Sequence, residues 1–354
     1  QLTDLSAVGD AGFVILEIVF SGDLGVMDRP ILRDPTIIKK ADYVIMETTY
    51  GNRVHPSNSL DVTKLMDIIR ETAKRGGTTV IPSFAVGRTQ ELIYELNRVY
   101  DSDSEYRKDF ENLMVYVDSP MATTATEVFK RNAQVFDDET KAYITKGDNP
   151  LDFKNLKFTR TSQESMWLNT DPTPKVIISA SGMCDAGRIR HHLKHNLWNR
   201  KSSIIFVGYQ AEGTLGRMLL DGAKEVTLFG ENIRVNAQIH NLEGFSGHAD
   251  KDGLLAWLSG FQKVPKHVFL VHGEEESKKA FAYTVKEKLG YDPIVVTEPS
   301  EFTLEKDEIV DTQIIENDGL EEEIISNTQD TLTDIHSRIE DILYNATLAV
   351  GKEI

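Results

Sequence analysis

Apolar residues along this chain fall into two rhythms. Short runs of aliphatic and β-branched residues end abruptly in polar or glycine-bearing turns, and longer stretches between them place apolar residues three and four positions apart. The short runs predict strands over Gly12–Phe20, Tyr43–Met46, Thr78–Ile81, Met114–Val117, Val176–Ser179, Ser203–Val207, Val268–Val271 and Ile294–Val296. The longer stretches predict helices over Asn58–Arg75, Thr89–Tyr100, Thr123–Arg131, Arg188–Leu197, Asp250–Leu258 and Glu276–Leu289. Strands alternating with helices define an α/β protein. The runs VIMET, TTVIPSF, VIISASG and SIIFVGY are apolar throughout rather than alternating, which predicts strands buried on both faces beneath helices.

Past residue 300 the pattern changes. Ser300–Asn327 is polar and acidic and reads as a linker with one strand in it. Then Ile325, Thr328, Leu332, Ile335, Ile339, Ile342, Ala346 and Ala349 recur at spacings of three and four, a stripe on one helix. That stripe docks on the chain's own body, the preferred assignment, or pairs with a second copy as a short coiled coil.

Length and composition narrow the class. A chain of 354 residues with 40% hydrophobic content supports a large core and about two domains. The net charge of −17 would argue against a nucleic-acid partner if it were uniform. It is concentrated instead: residues 298–354 hold sixteen Asp and Glu against three Lys and Arg. The single cysteine, Cys184, excludes an intrachain disulfide and fits a reducing, cytoplasmic compartment. No apolar run is long enough to span a bilayer, and no secretory signal is visible. The chain opens on Gln1, as a fragment or processed product would.

Four predicted strand or loop ends carry titratable side chains. Phe20-Ser21-Gly22-Asp23 ends in an aspartate, Val44-Ile45-Met46-Glu47 in a glutamate and Val268-Phe269-Leu270-Val271-His272 in a histidine, while His248 sits in the loop Gly244–Asp250 before a helix. Sites in α/β sheets form where strands end. Imidazole and carboxylate are natural ligands for zinc or a similar divalent ion. Each residue also has an ordinary role open to it. Asp23 could cap a turn, His248 could cap the helix beginning near Asp250, and His272 could be a satisfied buried imidazole. Spacing alone does not decide between these.

The exact strings do more. FSGDLG, METTYG, IPSFAVGRTQELIYEL, DSPMA, SGM followed by GRIRHHLKH, FVGYQAEGTLGR, GFSGHAD and LVHGEEE occur in this order. Together, over roughly residues 12–303, they closely resemble the β-CASP branch of the metallo-β-lactamase superfamily. The nearest members are the bacterial RNA-processing nucleases, similar to the eukaryotic pre-mRNA 3′-end cleavage subunit. The resemblance implies a metallo-β-lactamase αββα sandwich with an inserted β-CASP α/β domain and a C-terminal helical tail. On that plan residues 1–48 and 237–303 form the lactamase-like domain, 49–236 the β-CASP insert, and 304–354 an acidic linker and amphipathic helix. It implies two zinc ions at the mouth of the cleft, RNA as partner, and hydrolysis of an RNA phosphodiester to 3′-hydroxyl and 5′-phosphate.

By the same resemblance Asp23 bridges the metals, His272 ligates one, and Glu47 orients His248. A carboxylate beside an imidazole raises its pKa and fixes its tautomer, so His248 can donate a proton to the leaving oxygen. The RNA backbone is expected at Ser83, Phe84, Gly87 and Arg88, at Ser119, and at Ser181, Gly182 and Arg188. Arg190 and Lys194 are as well explained by a solvated basic face. His191 and His192 do not share a ligand face, and His55, His267 and His336 look like surface or packing residues. A homodimer through the lactamase-like domain or the C-terminal helix is a further expectation.

The sequence departs from the family pattern in one respect. The ligand cluster H-x-H-x-D-H is absent, and Asp10-Ala11-Gly12 is followed by Phe13 rather than by the histidine that normally follows Ala-Gly. A chain lacking that cluster keeps only Asp23 and His272 of the expected ligands, and two ligands hold zinc weakly. The expectation is therefore a truncated, N-terminally incomplete member, weakly active or inactive. The main alternative is a non-catalytic RNA-binding or scaffold subunit of an RNA-processing complex. A small-ester hydrolase on the same fold is less suited to an insert that covers the cleft. No G-x-x-x-x-G-K-[ST] and no strand-linked G-x-G-x-x-G supports a nucleotide-binding protein.

Overall fold

A computed structural model describes residues 2–9, 12–56, 58–101, 105–304 and 309–314. The apolar stripe Ile325–Ala349, the helix and dimer assignments that rest on it, and His336 lie outside the described residues. The strands, in chain order, are β1 (Leu2–Gly9), β2 (Gly12–Phe20), β3 (Tyr43–Glu47), β4 (Thr78–Pro82), β5 (Met114–Val117), β6 (Leu156–Phe158), β7 (Lys175–Ser179) and β8 (Ser203–Phe206). They continue as β9 (Glu225–Leu228), β10 (Glu231–Arg234), β11 (Gln238–Asn241), β12 (His267–Val271), β13 (Ile294–Val295), β14 (Ser300–Leu304) and β15 (Ile309–Ile314).

Two sheets organise the α/β body. One has the order β1-β2-β3-β12-β13, with β1 and β2 antiparallel and every other neighbouring pair parallel. The other has the order β11-β8-β4-β7-β5-β6 and is parallel throughout. In that sheet β4 is flanked by β7 and β8, so the chain leaves β4 toward one edge and later returns to its other side. Such a reversal opens a crevice at the carboxyl ends of the strands.

The apolar runs are buried on two faces, as their continuous hydrophobicity requires. In the six-stranded sheet Ile81, Ile178 and Ile205 face one core with Leu65, Ile69 and Leu92, and Val80, Ile204 and Phe206 face another with Ile189 and Leu193. In the five-stranded sheet Val44, Met46, Val268 and Leu270 pack on Leu254, Trp257, Leu258 and Phe281 from the helices Lys251–Ser259 and Glu275–Leu289. Each such aliphatic side chain contributes on the order of 1.5–3 kcal/mol by burial. The opposite face carries Ile18, Tyr43 and Phe269, against Phe302 and Leu304 of β14.

All eight predicted strands are present, with ends moved by a residue or so. The helix expected from Thr123 starts at Pro120, because Ser119 Oγ accepts from the amide of Ala122 and sets the cap one turn earlier. Short, weakly patterned elements went unpredicted: β1, β6, β9, β10 and β11, and the helices Tyr106–Phe110, Asp138–Thr145, Ser162–Thr170 and Leu215–Leu220. The segment read as a linker with one strand contains two, β14 and β15, paired as an antiparallel hairpin. No described helix is long and apolar enough to cross a membrane.

Candidate active site

The carboxyl ends of both sheets open onto one cavity of about 600 Å³. Asp23 reaches it from beyond β2, Phe84, Gly87 and Arg88 from beyond β4, Tyr209 from beyond β8, and His248 from the loop before the helix Lys251–Ser259.

Local backbone chemistry places each group. Register pairs Glu47 with Val271 at the last rung of β3 and β12. The ladder then takes one more step, as Thr48 N donates to the His272 carbonyl at 2.8 Å. His272 sits at φ +44, in the left-handed region, and Gly273 follows at φ +153. A Cβ on Gly273 would stand 2.7 Å from the Thr48 carbonyl oxygen, so only glycine fits there. The strand therefore ends in a histidine turned out of the ladder. Asp23 comes just after a left-handed Gly22, and its Oδ1 lies 4.0 Å from His272 Nε2. Both side chains are largely exposed.

Glu47 is the opposite case, buried with its side chain 2% exposed. Its carboxylate accepts from Leu24 N at 2.7 Å, from Thr49 Oγ1 at 2.5 Å and from Thr49 N at 3.2 Å. His248 Nδ1 lies 3.0 Å from Oε1. Burial alone pushes the Glu47 carboxyl up, but the hydrogen bonds from His248 and Thr49, with the charge of His248, outweigh it and hold it below the ordinary value. The hydrogen bond to Glu47 correspondingly raises His248, against the opposing effect of burial. With Nδ1 engaged, Nε2 is the ring nitrogen left for a substrate. The rings of His248 and His272 stack at 6.2 Å.

Two neighbours were not singled out from sequence. Tyr50 packs edge-on against His55, Tyr209 and His248, and so shapes the wall behind the dyad. His55, read as a packing residue, packs here on the site itself: its Nε2 lies 3.2 Å from the His248 carbonyl and its amide donates to Asp250 at 2.8 Å. Tyr50 stands within METTYG, so the signal was on the page. His55 needed the fold, because the loop that it touches is 193 residues away.

The residues expected to hold RNA divide into two groups. Phe84, Gly87 and Arg88 line the cavity. Phe84 is 43% exposed, and its ring packs on Gly182, where a Cβ would stand 2.9 Å away. Ser83, Ser119, Ser181, Gly182 and Arg188 are not among the lining residues. Ser83 accepts from Thr89 Oγ1, Ser119 caps a helix, and Ser181 Oγ donates to the Ala186 carbonyl. Arg188 donates to Asp118 at 2.7 Å. That aspartate, also not singled out, is fully buried and accepts as well from His192 Nε2 at 2.6 Å, Ser165 at 2.5 Å and Thr159. Burial raises its carboxyl, yet these bonds together hold it far below the usual range. His191 stacks on Phe229.

Metal-binding capacity follows from what is free. Ligand-capable atoms of Asp23, Glu47 and His248 lie within 4.8 Å of one another, but Glu47 is already committed to Leu24, Thr49 and His248. Asp23 and His272 remain, with donor types that suit zinc. A catalytic zinc takes about three protein ligands, so the described residues fit part of such a centre.

Residues 89–219 match the Beta-Casp domain family, and residues 232–296 match the family described as a Zn-dependent metallo-hydrolase RNA specificity domain. The chain is 38% identical over 259 residues to ribonuclease TTHA0252 of Thermus thermophilus, covering 73% of this chain and 58% of that protein. It is 33% identical over 282 residues to the transcription termination factor FttA of Methanocaldococcus jannaschii, covering 77% and 43%. An RNase J-like protein of the same organism is 32% identical over 272 residues, covering 76% and 61%. The chain thus spans about half the length of the curated relatives it matches. The two matched domains place the chain in the β-CASP branch of the metallo-β-lactamase fold.

Proposed function

We propose that the protein to which this chain belongs hydrolyses RNA phosphodiester bonds in the cleft between the two sheets, with His248 as general acid. The observation that carries this reading is the His248–Glu47 pair, 3.0 Å apart at the edge of the cavity. A buried carboxylate fixes the tautomer and favours the charged imidazole over the neutral one, and an imidazolium so held can hand its Nε2 proton to a departing ribose oxygen. Glu47, with its oxygens turned inward, is a positioning group for His248 rather than a metal ligand.

Asp23 and His272 are the residues assigned to hold zinc, and we take two ions for the complete centre on the strength of the family resemblance. Zinc supplies Lewis-acid polarisation of a phosphoryl oxygen when bound. The Arg88 guanidinium and the exposed Phe84 ring suit a phosphate and a base of one single strand. Ser119, Ser181 and Arg188 have partners within the fold, so any contact that they make with RNA lies outside this cavity. We take residues 49–236 as the β-CASP insert and 1–48 with 237–303 as the lactamase-like part.

A second reading, a non-catalytic RNA-binding subunit, is favoured by the small number of free ligands, two among the described residues. The test separates the two readings. Cleavage of single-stranded RNA by the intact protein with zinc should fall on the order of 100-fold in kcat on His248→Asn, with RNA affinity retained. Full activity in that variant would remove His248 from the chemistry. RNA binding without cleavage in the unaltered protein would favour the second reading.

A further inference from the structure

One carboxylate joins three distant chain segments beside the cleft. Glu91, on the helix Arg88–Asp101, accepts from Arg88 Nη1 on Oε2 and from Arg29 Nη1 on Oε1. The other end of the Arg29 fork, Nη2, donates to the Gly244 carbonyl at 2.8 Å and to the Ser246 carbonyl. Ser246 in turn receives the amide of His248 on its Oγ at 3.3 Å. All three charged side chains are at least nine-tenths buried. Arg29 comes from the segment after β2, Glu91 from the helix after β4, and Ser246 from the loop carrying His248. Beyond Nη1, Arg88 faces that loop, with Nη2 3.4 Å from where a Cβ on Gly247 would stand.

A buried Arg–Glu–Arg arrangement is a poor source of net stability, because desolvation offsets the attraction. Its geometry, in contrast, is specific: each oxygen of one carboxylate takes one Nη1 of a planar guanidinium. We propose that Glu91 is a positioning residue, whose shared carboxylate aims the Arg88 guanidinium at an RNA phosphate and, through Arg29, holds the Ser246–His248 loop in register with it. The chemical class addressed is the backbone phosphate of single-stranded RNA, and the inference rests on the reading of Arg88 given above. Glu91 does not touch the substrate. It repels a phosphate by charge, so a role in binding is visible only through Arg88.

That indirectness gives the test. Affinity for a fluorescein-labelled single-stranded oligouridylate is measured by anisotropy on the chain in the presence of EDTA, for Arg88→Ala, Glu91→Gln and the double variant. Arg88→Ala and Glu91→Gln should each weaken binding on the order of tenfold, and the double variant should be no weaker than Arg88→Ala alone. A purely structural Glu91 would add its loss to that of Arg88→Ala, and additive losses overturn the proposal. Tighter binding on Glu91→Gln, as simple removal of a negative charge would give, also overturns it. If Arg88→Ala binds RNA normally, the assignment of Arg88 to RNA fails first and the inference falls with it. Should Glu91→Gln not fold, Glu91→Asp runs the same cycle: it keeps the charge but withdraws the carboxylate from the two guanidinium groups, and the same non-additivity is expected.

Discussion

Nδ1 of His248 lies 3.0 Å from Oε1 of Glu47, two residues 201 positions apart in the chain. The bond raises the imidazole and, with Thr49, lowers the carboxyl, so the charged pair occupies a window of pH. For the histidine, whose folded value is raised, the contribution is present below the ordinary 6.5 and lost as pH rises through the raised value. For the glutamate, whose folded value is lowered, it is present above the ordinary 4.5 and lost as pH falls through the lowered value. Proton NMR of His248 should therefore give a midpoint above 6.5, and Glu47→Gln should bring it down. A midpoint at or below the ordinary value in the unaltered chain would remove the dyad.

Asp118 lies at the centre of the larger buried network. Replacing it with Ala leaves Arg188 and His192 without their shared acceptor, inside a core where Asp118 and His192 are fully buried. Loss of one partner from such a network costs about 3–5 kcal/mol. Urea denaturation should show a drop of that size, together with a lower Tm. A variant as stable as the parent would mean that water or another donor replaces the carboxylate at no cost.

The turn after β12 depends on Gly273. Gly273→Ala puts a methyl group 2.7 Å from the Thr48 carbonyl oxygen and strains a residue at φ +153. We expect a loss of about 1–3 kcal/mol, and, on the proposed assignment of His272 to zinc, weaker zinc binding by isothermal titration calorimetry, because His272 moves with the turn. Unchanged stability and zinc affinity would show that the turn tolerates a side chain.

Glu95 supplies a pH dependence away from the cleft. Burial, joined by repulsion from Glu91 and opposed by Arg98, pushes its carboxyl up to about 7. Between the ordinary 4.5 and that value the folded state binds the extra proton, so this group's stabilisation is lost as pH rises through the window. Arg98, half exposed, returns little. Glu95→Gln should be more stable than the parent at pH 8 by about 3 kcal/mol and should converge with it toward pH 5. Parallel stabilities at both pH values would contradict a raised carboxyl.

Much of the architecture was legible because the strands are continuously apolar. Val80-Ile81 and Ile204-Ile205 supply both faces of one sheet, and no polar residue interrupts them. Asp23, Glu47 and His272 could be read as strand-end groups for the same reason: an apolar run that stops on a titratable residue marks the edge of a sheet. The β14–β15 hairpin could not, since its strands are polar and short. Arg29 was invisible, and Glu91 in IPSFAVGRTQELIYEL and Asp118 in DSPMA stood in the quoted strings without their partners being legible. Each is an ordinary charged residue in its local window and acquires its full role when partners as far as 217 positions away close on it. Ser119 and Arg188 show the converse, since residues in suggestive loops prove to have internal partners.

The measurement closest to the central claim is photocrosslinking of 4-thiouridine-substituted single-stranded RNA to the chain, with the modified peptides identified by mass spectrometry. The account predicts crosslinks to Phe84 and Tyr209, and to residues next to His248, all around the same cavity. These should be suppressed by unlabelled RNA and reduced by Arg88→Ala. Crosslinks confined to the outer helices, or unaffected by Arg88→Ala, would contradict the assignment of this cleft to RNA.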